Sequence, residues 1–100
     1  MATLSLYVKM NAKPGKEGDV EAFLKSAQPL VDAEPGTIAW FAIKIGPGKY
    51  AIFDIFENEA GRNAHLNGRV AEALFAKAPE LFSEKPSVDK PDILAAKLPK

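Results

Sequence analysis

Cysteine is absent from the 100-residue chain, and His65 is its only histidine. The lack of cysteine excludes a disulfide, an iron–sulfur cluster, a thiolate zinc site and a cysteine nucleophile. A single imidazole also excludes a site with two histidine ligands from one chain. Neither sign of charge is in excess, because 13 basic residues balance 13 acidic ones. We therefore expect no bound metal and no nucleic-acid partner.

Long apolar runs are also missing, and none approaches the ~20 residues that span a bilayer. The first ten residues alternate in polarity and lack the basic stretch and cleavage site of a signal peptide. From these two features we expect a cytoplasmic protein without a membrane partner. A hydrophobic content of 47% and a charged content of 26% are typical of a folded chain. The length predicts a single domain over residues 1–100.

The periodicity of apolar residues changes several times along the chain. Strict alternation predicts a strand over Thr3–Asn11. Helical spacing begins at Asp19, which is a plausible N-cap. Pro29 is predicted to kink or stop that helix. The other predicted elements are strands over Thr37–Ile45 and Tyr50–Phe56, a helical region capped by Asn58 with a weak point at Asn67-Gly68, and a last strand over Ile93–Leu98. The order β-α-β-β-α-β predicts an α+β, ferredoxin-like fold: a four-stranded antiparallel sheet with the helices on one face.

The two middle strands form a predicted hairpin around Pro47-Gly48. If these two residues centre the loop, Phe41 lies opposite Asp54 and shares a face with Tyr50 and Phe56. Both faces of this hairpin are apolar, although a sheet covered by helices on one side usually has a polar second face. We therefore predict a homodimer packed sheet against sheet; a monomer with scattered exposed apolar residues is the alternative.

Several short motifs occur in an order that resembles the antibiotic biosynthesis monooxygenase domain family. They are Lys13-Pro14-Gly15-Lys16-Glu17, Glu34-Pro35-Gly36-Thr37, the stretch from Asp54 to Leu66, and Ala95-Ala96-Lys97-Leu98. The resemblance implies a dimeric α+β barrel in which each subunit holds a pocket between sheet and helices. It also implies oxidation or oxygenation of phenols, anthrones or quinols by dioxygen without a bound cofactor. The haem-degrading branch of the superfamily is disfavoured, because His65 stands where its tryptophan is expected.

His65 and Asp54 are the predicted catalytic residues. An imidazole with a pKa near 6.5 is able to take a proton from a phenol or quinol at neutral pH. Asp54 lies within an otherwise apolar strand face, where it is able to orient His65. A satisfied structural histidine and a structural carboxylate are the alternatives.

The predicted substrate-binding residues are Phe41, Tyr50, Phe56 and Arg69. The three aromatic rings form a slot for a planar substrate, or else belong to the core and the dimer interface. Arg69 is able to hold an anionic group, or else is a solvated helix charge. Together these residues predict a cofactor-free monooxygenase or quinol oxidase that acts on a small aromatic substrate with dioxygen. The rival hypothesis is a non-catalytic dimeric protein that binds small ligands or serves in stress response.

Overall fold

An antiparallel sheet of four strands forms one layer of the molecule, and four helices lie against one of its faces. In the computed structural model, which describes residues 4–99, the strands follow the spatial order β2-β3-β1-β4. The elements are β1 (Leu4–Asn11), α1 (Glu17–Ser26), α2 (Gln28–Asp32), β2 (Thr37–Gly46), β3 (Lys49–Phe56), α3 (Glu59–Leu66), α4 (Arg69–Leu81) and β4 (Ser87–Asp89). The predicted ferredoxin-like α+β architecture is confirmed. No helix within these described residues is long and apolar enough to cross a membrane.

The main core lies between the sheet and helices α1 and α4. It contains Val8 and Met10 from β1 and Ile52 from β3, which pack against Val20 of α1 and Leu74 of α4. Leucine, valine and isoleucine at these positions are at most 8% exposed. The side of the sheet that carries these residues is called the helix-facing side below.

Each predicted helical region consists of two helices. Pro29 lies at the start of α2, where a missing backbone N–H is harmless, and α1 has already ended at Ser26. Asn67 and Gly68 separate α3 from α4. The Asn58 side chain accepts a hydrogen bond from the Gly61 N–H at 2.9 Å, which confirms the predicted N-cap.

The hairpin between β2 and β3 has the predicted loop but a different register. Gly46 pairs with Lys49 across Pro47-Gly48, and Gly48 has a φ of +71°, as such a tight loop requires. A bulge between Lys44 and Gly46 then inserts one extra residue into β2.

This bulge turns residues 39–44 of β2 to the face opposite the one predicted, and a second irregularity between Thr37 and Ala39 shifts the pairing again. Trp40 lies opposite Asp54, whereas Phe41 lies opposite Phe53. The prediction that Phe41 shares a face with Asp54 is therefore wrong. Trp40 is on the helix-facing side, and Phe41 is 52% exposed on the outer side.

The last strand is also misplaced in the sequence prediction. The structure forms β4 at Ser87–Asp89, which pairs with β1, and residues 93–98 form no strand. Proline at positions 86 and 91 brackets the three paired residues, and beyond Pro91 only a single bridge forms, between Asp92 and Leu4. The apolar residues beyond Pro91 have no strand partner, and Leu94 is 93% exposed.

Candidate active site

The His65 imidazole lies between two carboxylates. Its Nδ1 is 2.6 Å from Oε1 of Glu34, and its Nε2 is 3.0 Å from Oδ2 of Asp54. Asp54 is 1% exposed and His65 is 7% exposed, whereas the Glu34 side chain is 21% exposed. Both ring nitrogens are thus engaged, and a chain of ionisable groups leads from a buried aspartate to a partly exposed glutamate.

Three different elements supply these groups. Asp54 comes from the helix-facing side of β3, His65 from the last turn of α3, and Glu34 from the turn between α2 and β2. The structure brings the predicted residues His65 and Asp54 within 3.0 Å of each other. Glu34 was not among the predicted site residues. Its Glu-Pro-Gly turn was recognised only as a family-like motif.

A close approach of two backbones brings the Glu34 turn to His65. A Cβ atom on Gly61 would lie 2.7 Å from the carbonyl oxygen of Gly36, and one on Gly36 would lie 2.7 Å from the Gly61 Cα. Real Cβ atoms do not come so close, so glycine is required on both sides. Gly61 is one turn before His65 on α3, and Gly36 is two residues after Glu34, so the glycine contact fixes the distance between the acid and the imidazole.

Further contacts hold the groups in place. The Thr37 hydroxyl donates a hydrogen bond to Oε1 of Glu34 at 2.8 Å. The Phe56 ring lies 5.4 Å from the His65 ring, tilted by 46°. Arg62, which is 9% exposed, lies one turn before His65 and approaches the Ser5 carbonyl oxygen at 3.4 Å.

The two carboxylates control the protonation of the imidazole. Burial alone lowers the pKa of His65, but the contacts with Asp54 and Glu34 outweigh burial and raise this pKa above the ordinary 6.5. Burial also raises the pKa of Asp54, and the neighbouring His65 only partly offsets this effect. The folded protein therefore binds protons at this site more tightly than the unfolded chain does.

Some buried polar atoms near the site have no well-aligned hydrogen-bond partner within residues 4–99. They are both carboxylate oxygens of Asp54, Nε1 of Trp40 and Nε of Arg62. The 3.0 Å contact of Asp54 with His65 is therefore a close charge pair in which the N–H does not point along the line to the oxygen. Buried polar atoms without a hydrogen bond lower the stability of the folded state. Those of Trp40 and Asp54 lie together on the helix-facing side, where these two residues pair.

A groove, called the edge cleft below, runs between strand β2 and helices α1 and α2. It consists of a wide part of about 400 Å³ and a narrow part of about 200 Å³, which share Gln28 and Trp40 as lining residues. Glu34 and Thr37 line the narrow part, whereas Tyr50 lines the wide part. The exposed end of the ionisable chain therefore borders the narrow part, and the adjoining wide part is large enough for a small aromatic molecule.

Tyr50 belongs to a second polar group at the far end of the edge cleft. Its hydroxyl donates to Oε2 of Glu21 at 2.6 Å, and Lys44 Nζ is 3.3 Å from the same oxygen. The bond to Glu21 raises the pKa of Tyr50 to about 12. The same bond and the Lys44 ammonium lower the pKa of Glu21.

A second, much smaller cavity borders the His65 ring on the β1 and β4 half of the sheet. Its volume is about 20 Å³, and its lining is almost entirely apolar. An aromatic ring does not fit into it. A substrate hydroxyl therefore has no room to reach His65 from this side.

The remaining predicted residues are distributed as follows. Phe56 is fully buried and contacts His65, and Tyr50 and Asp54 lie on the same side of β3 as predicted. Arg69 is exposed and begins α4 after the break at Gly68, so it does not continue the helical row of Arg62 and His65. Within residues 4–99, no group of three or more histidine, aspartate or glutamate side chains is arranged to hold a metal ion.

Comparison with solved structures defines the class of fold. An antibiotic biosynthesis monooxygenase superposes with a TM-score of 0.79 at 15% identity, over 92% of this chain and 99% of that chain. PA3566 from Pseudomonas aeruginosa superposes with a TM-score of 0.80 at 18% identity, over 95% of this chain and 97% of that chain. At such identities the similarity shows the fold alone, and the resemblance predicted from the sequence is confirmed at that level. No protein-family model matches the chain, and no curated protein matches its sequence.

One solved structure is similar in sequence as well as in fold. The NE2512 protein of unknown function from Nitrosomonas europaea is 53% identical, with a TM-score of 0.97, over 100% of this chain and 97% of that chain. This chain belongs to the family of the NE2512 protein.

Proposed function

We propose that the protein is an oxidoreductase that oxidises or oxygenates a small aromatic hydroxyl compound with dioxygen and without a bound cofactor. The observation that carries this proposal is the buried His65 between two carboxylates, of which Glu34 borders the edge cleft. The fold shared with an antibiotic biosynthesis monooxygenase supports the same reaction class. A fold alone does not determine an activity, so the argument depends on the chemistry of the site.

A buried group of three ionisable side chains is an expensive way to stabilise a protein. Desolvation of the charges offsets most of their attraction, and apolar side chains of similar size often serve equally well. Strongly perturbed ionisable groups beside a cleft are therefore candidates for acid–base chemistry. Here the perturbed groups are Asp54 and His65, and both have a raised pKa.

The geometry changes the roles that we assign within this group. Both nitrogens of His65 are engaged, so the proton acceptor that meets the substrate is Glu34. Its Oε1 already accepts from Thr37 and contacts His65, which leaves Oε2 to accept a proton from a phenolic hydroxyl. With His65 protonated, the three groups carry one net negative charge, and proton uptake neutralises it.

The substrate in this proposal lies in the edge cleft against the Trp40 ring. Removal of its hydroxyl proton raises the electron density of the aromatic ring and favours electron transfer to dioxygen. A quinol then loses two electrons and two protons, and dioxygen becomes hydrogen peroxide. In the monooxygenase reaction, one oxygen atom enters the ring and the other leaves as water with two hydrogens from the substrate.

The functional form in this proposal is a homodimer. The outer face of the sheet exposes large apolar side chains, with Phe41 at 52% and Ile43 at 44% exposed, and the neighbouring bulge residue Ile45 at 54%. A contiguous apolar patch of this kind favours a protein partner. A second copy of the same face is the simplest partner, because a twofold axis makes such a patch complementary to itself.

A second candidate function is a dimeric small-ligand-binding protein without catalysis. It is favoured by one observation: no nitrogen of His65 is free to contact a ligand, and the adjoining cavity holds only about 20 Å³. In that case the buried ionisable group is structural, and only the edge cleft has a function.

Oxygen uptake and peroxide formation with a panel of quinols and phenols separate the two candidates. We expect Glu34→Gln to lower the rate by ~10²–10⁴-fold, because it removes the proton acceptor but keeps the shape of the side chain. Glu72→Gln, on the exposed side of α4, is the matched control and should retain full activity. Equal rates for wild type and Glu34→Gln, after correction for autoxidation, would exclude Glu34 as the base.

Binding measurements complete the test. Isothermal titration with a redox-inert phenol reports occupancy of the edge cleft independently of turnover. Binding without oxygen uptake across the panel would replace the proposed oxidoreductase with the ligand-binding protein.

A further inference from the structure

The proposed function makes no use of the small cavity beside His65. Its walls come from β1, β3 and β4 on one side and from α3 and α4 on the other. The apolar lining includes Leu6, Val8, Ile52, Val70, Ala71 and Leu74. The His65 ring is the only side chain in the lining that carries polar atoms.

Size and polarity restrict what this cavity accepts. A volume of about 20 Å³ is close to that of one or two small atoms and far below that of an aromatic ring. Water needs two to four polar partners in such a site. Both nitrogens of His65 already contact Glu34 and Asp54, so the lining offers none. The cavity is therefore suited to a small apolar molecule.

The cavity lies close to the protein surface. Phe75 of α4 and Val88 of β4 both line it, and each is 38% exposed to solvent. A residue that borders both the cavity and solvent marks a short path between them. This path lies on the β4 edge of the sheet, whereas the edge cleft lies along β2, at the opposite edge.

We propose that this cavity is a binding site for dioxygen, which enters between Phe75 and Val88 and rests against the His65 ring. The assignment depends on the proposed function, because it names the place where the second substrate of that reaction binds. The aromatic substrate and dioxygen then reach the ionisable group from opposite edges of the sheet, which suits the oxidase reaction, in which dioxygen only accepts electrons and protons and no oxygen atom enters the ring. One electron from the deprotonated substrate converts dioxygen to superoxide beside the imidazolium, whose positive charge stabilises the new anion. A second electron and two protons, also from the substrate, complete its reduction to hydrogen peroxide.

Paramagnetic relaxation by dissolved oxygen tests this site without any turnover. Methyl proton relaxation is measured under oxygen pressure and under the same pressure of nitrogen. We expect the methyl groups of Val70, Ala71 and Leu74 to relax severalfold faster under oxygen than that of Val20, which is fully buried but does not line the cavity. Equal enhancement at Val20 and at the cavity methyl groups would overturn the proposal.

A pair of variants tests whether the cavity itself is responsible. Ala71→Val adds two methyl groups to a buried wall residue, whereas Ala76→Val makes the same change on the exposed side of α4. Only Ala71→Val should abolish the enhancement at Val70 and Leu74. Retention of the enhancement in a folded Ala71→Val protein would also overturn the assignment, and if this variant does not fold, the wild-type comparison with Val20 decides alone.

The outcome is distinguishable from failure of the proposed function. Oxygen-dependent relaxation at the cavity without quinol turnover would support the dioxygen site but exclude the proposed oxidoreductase function. Quinol turnover without oxygen-dependent relaxation at the cavity methyl groups would support the oxidoreductase function but exclude the dioxygen site. For an active enzyme, Ala71→Val should raise the KM for dioxygen severalfold and leave quinol binding unchanged.

Discussion

Replacement of Gly61 by alanine tests the contact that holds Glu34 against His65. In an ordinary helix this change stabilises the protein, because alanine is better than glycine by about 1 kcal/mol. Here the new Cβ atom would lie 2.7 Å from the Gly36 carbonyl oxygen and 3.2 Å from the Gly36 Cα. Carbon–oxygen contacts settle near 3.3 Å or beyond, so the turn has to move by about 0.6 Å.

A movement of this size is enough to weaken the link between the turn and the imidazole. The His65–Glu34 distance of 2.6 Å increases towards the limit of a hydrogen bond, and a bond to a charged group contributes about 1.5–3 kcal/mol. Once the gain in helix propensity is subtracted, we expect Gly61→Ala to lower the free energy of unfolding by about 0.5–2 kcal/mol. The pKa of His65 should also fall, because one of its two carboxylates has moved away.

Gly18→Ala is the matched control. Gly18 lies in α1, and a Cβ atom there meets nothing within 4 Å, so this change should stabilise the protein by up to about 1 kcal/mol. Urea denaturation gives both free energies, and NMR titration gives the pKa of His65, the only histidine of the chain. A Gly61→Ala protein as stable as Gly18→Ala, with an unchanged His65 titration, would refute the positioning role of the glycine contact.

Three further predictions concern charge and assembly. The raised pKa of His65 means that the folded state loses stability as the pH rises from about 6.5 through the raised value, and His65→Gln should remove this loss in urea titrations. Asp54→Asn should lower the pKa of His65 and destabilise the protein by roughly 3 kcal/mol; a stability unchanged from wild type would contradict a close charge pair. Light scattering should give twice the 10.8 kDa chain mass for wild type and for the control Ala76→Glu, but a lower mass for Phe41→Glu. A monomeric wild type would exclude the sheet-to-sheet dimer.

The sequence was most informative where a local rule determines the structure. Asn58 caps α3 because its side chain accepts the Gly61 N–H, and Pro29 begins a helix because it lacks a donor. The loop at Pro47-Gly48 also follows from local turn chemistry. Each of these features depends on residues within one turn of each other.

The face of Phe41 was mispredicted because the evidence for register was weak. Register follows from alternation between apolar and polar residues, but both faces of the β2–β3 hairpin are apolar. Nothing in the residues around Ile45 indicates the bulge that shifts the pairing by one position. The bulge places Trp40 above Asp54, and Trp40 lines both parts of the edge cleft, whereas Phe41 lines only the wide part.

Glu34 could not be assigned to the site because its role depends on a long-range contact. It lies 31 residues before His65, in a turn whose composition indicates only a turn. The contact requires that Gly36 and Gly61 approach each other with no side chain between them. No periodicity or spacing in the sequence reports that two distant glycines meet.

Two costs converge on the contact between Glu34 and His65. Glycine inside α3 has a lower helix propensity than alanine, and burial of the imidazole and the aspartate removes their hydration. If stability alone determined these positions, apolar side chains at 54 and 65 would often serve it equally well, and the close contact of Gly36 with Gly61 would not be needed. The glycine contact and the buried His65 instead hold the partly exposed Glu34 carboxylate in a fixed geometry at the edge cleft. That convergence favours a chemical role for the site over a structural one, and it makes Glu34 the residue whose replacement should affect turnover most.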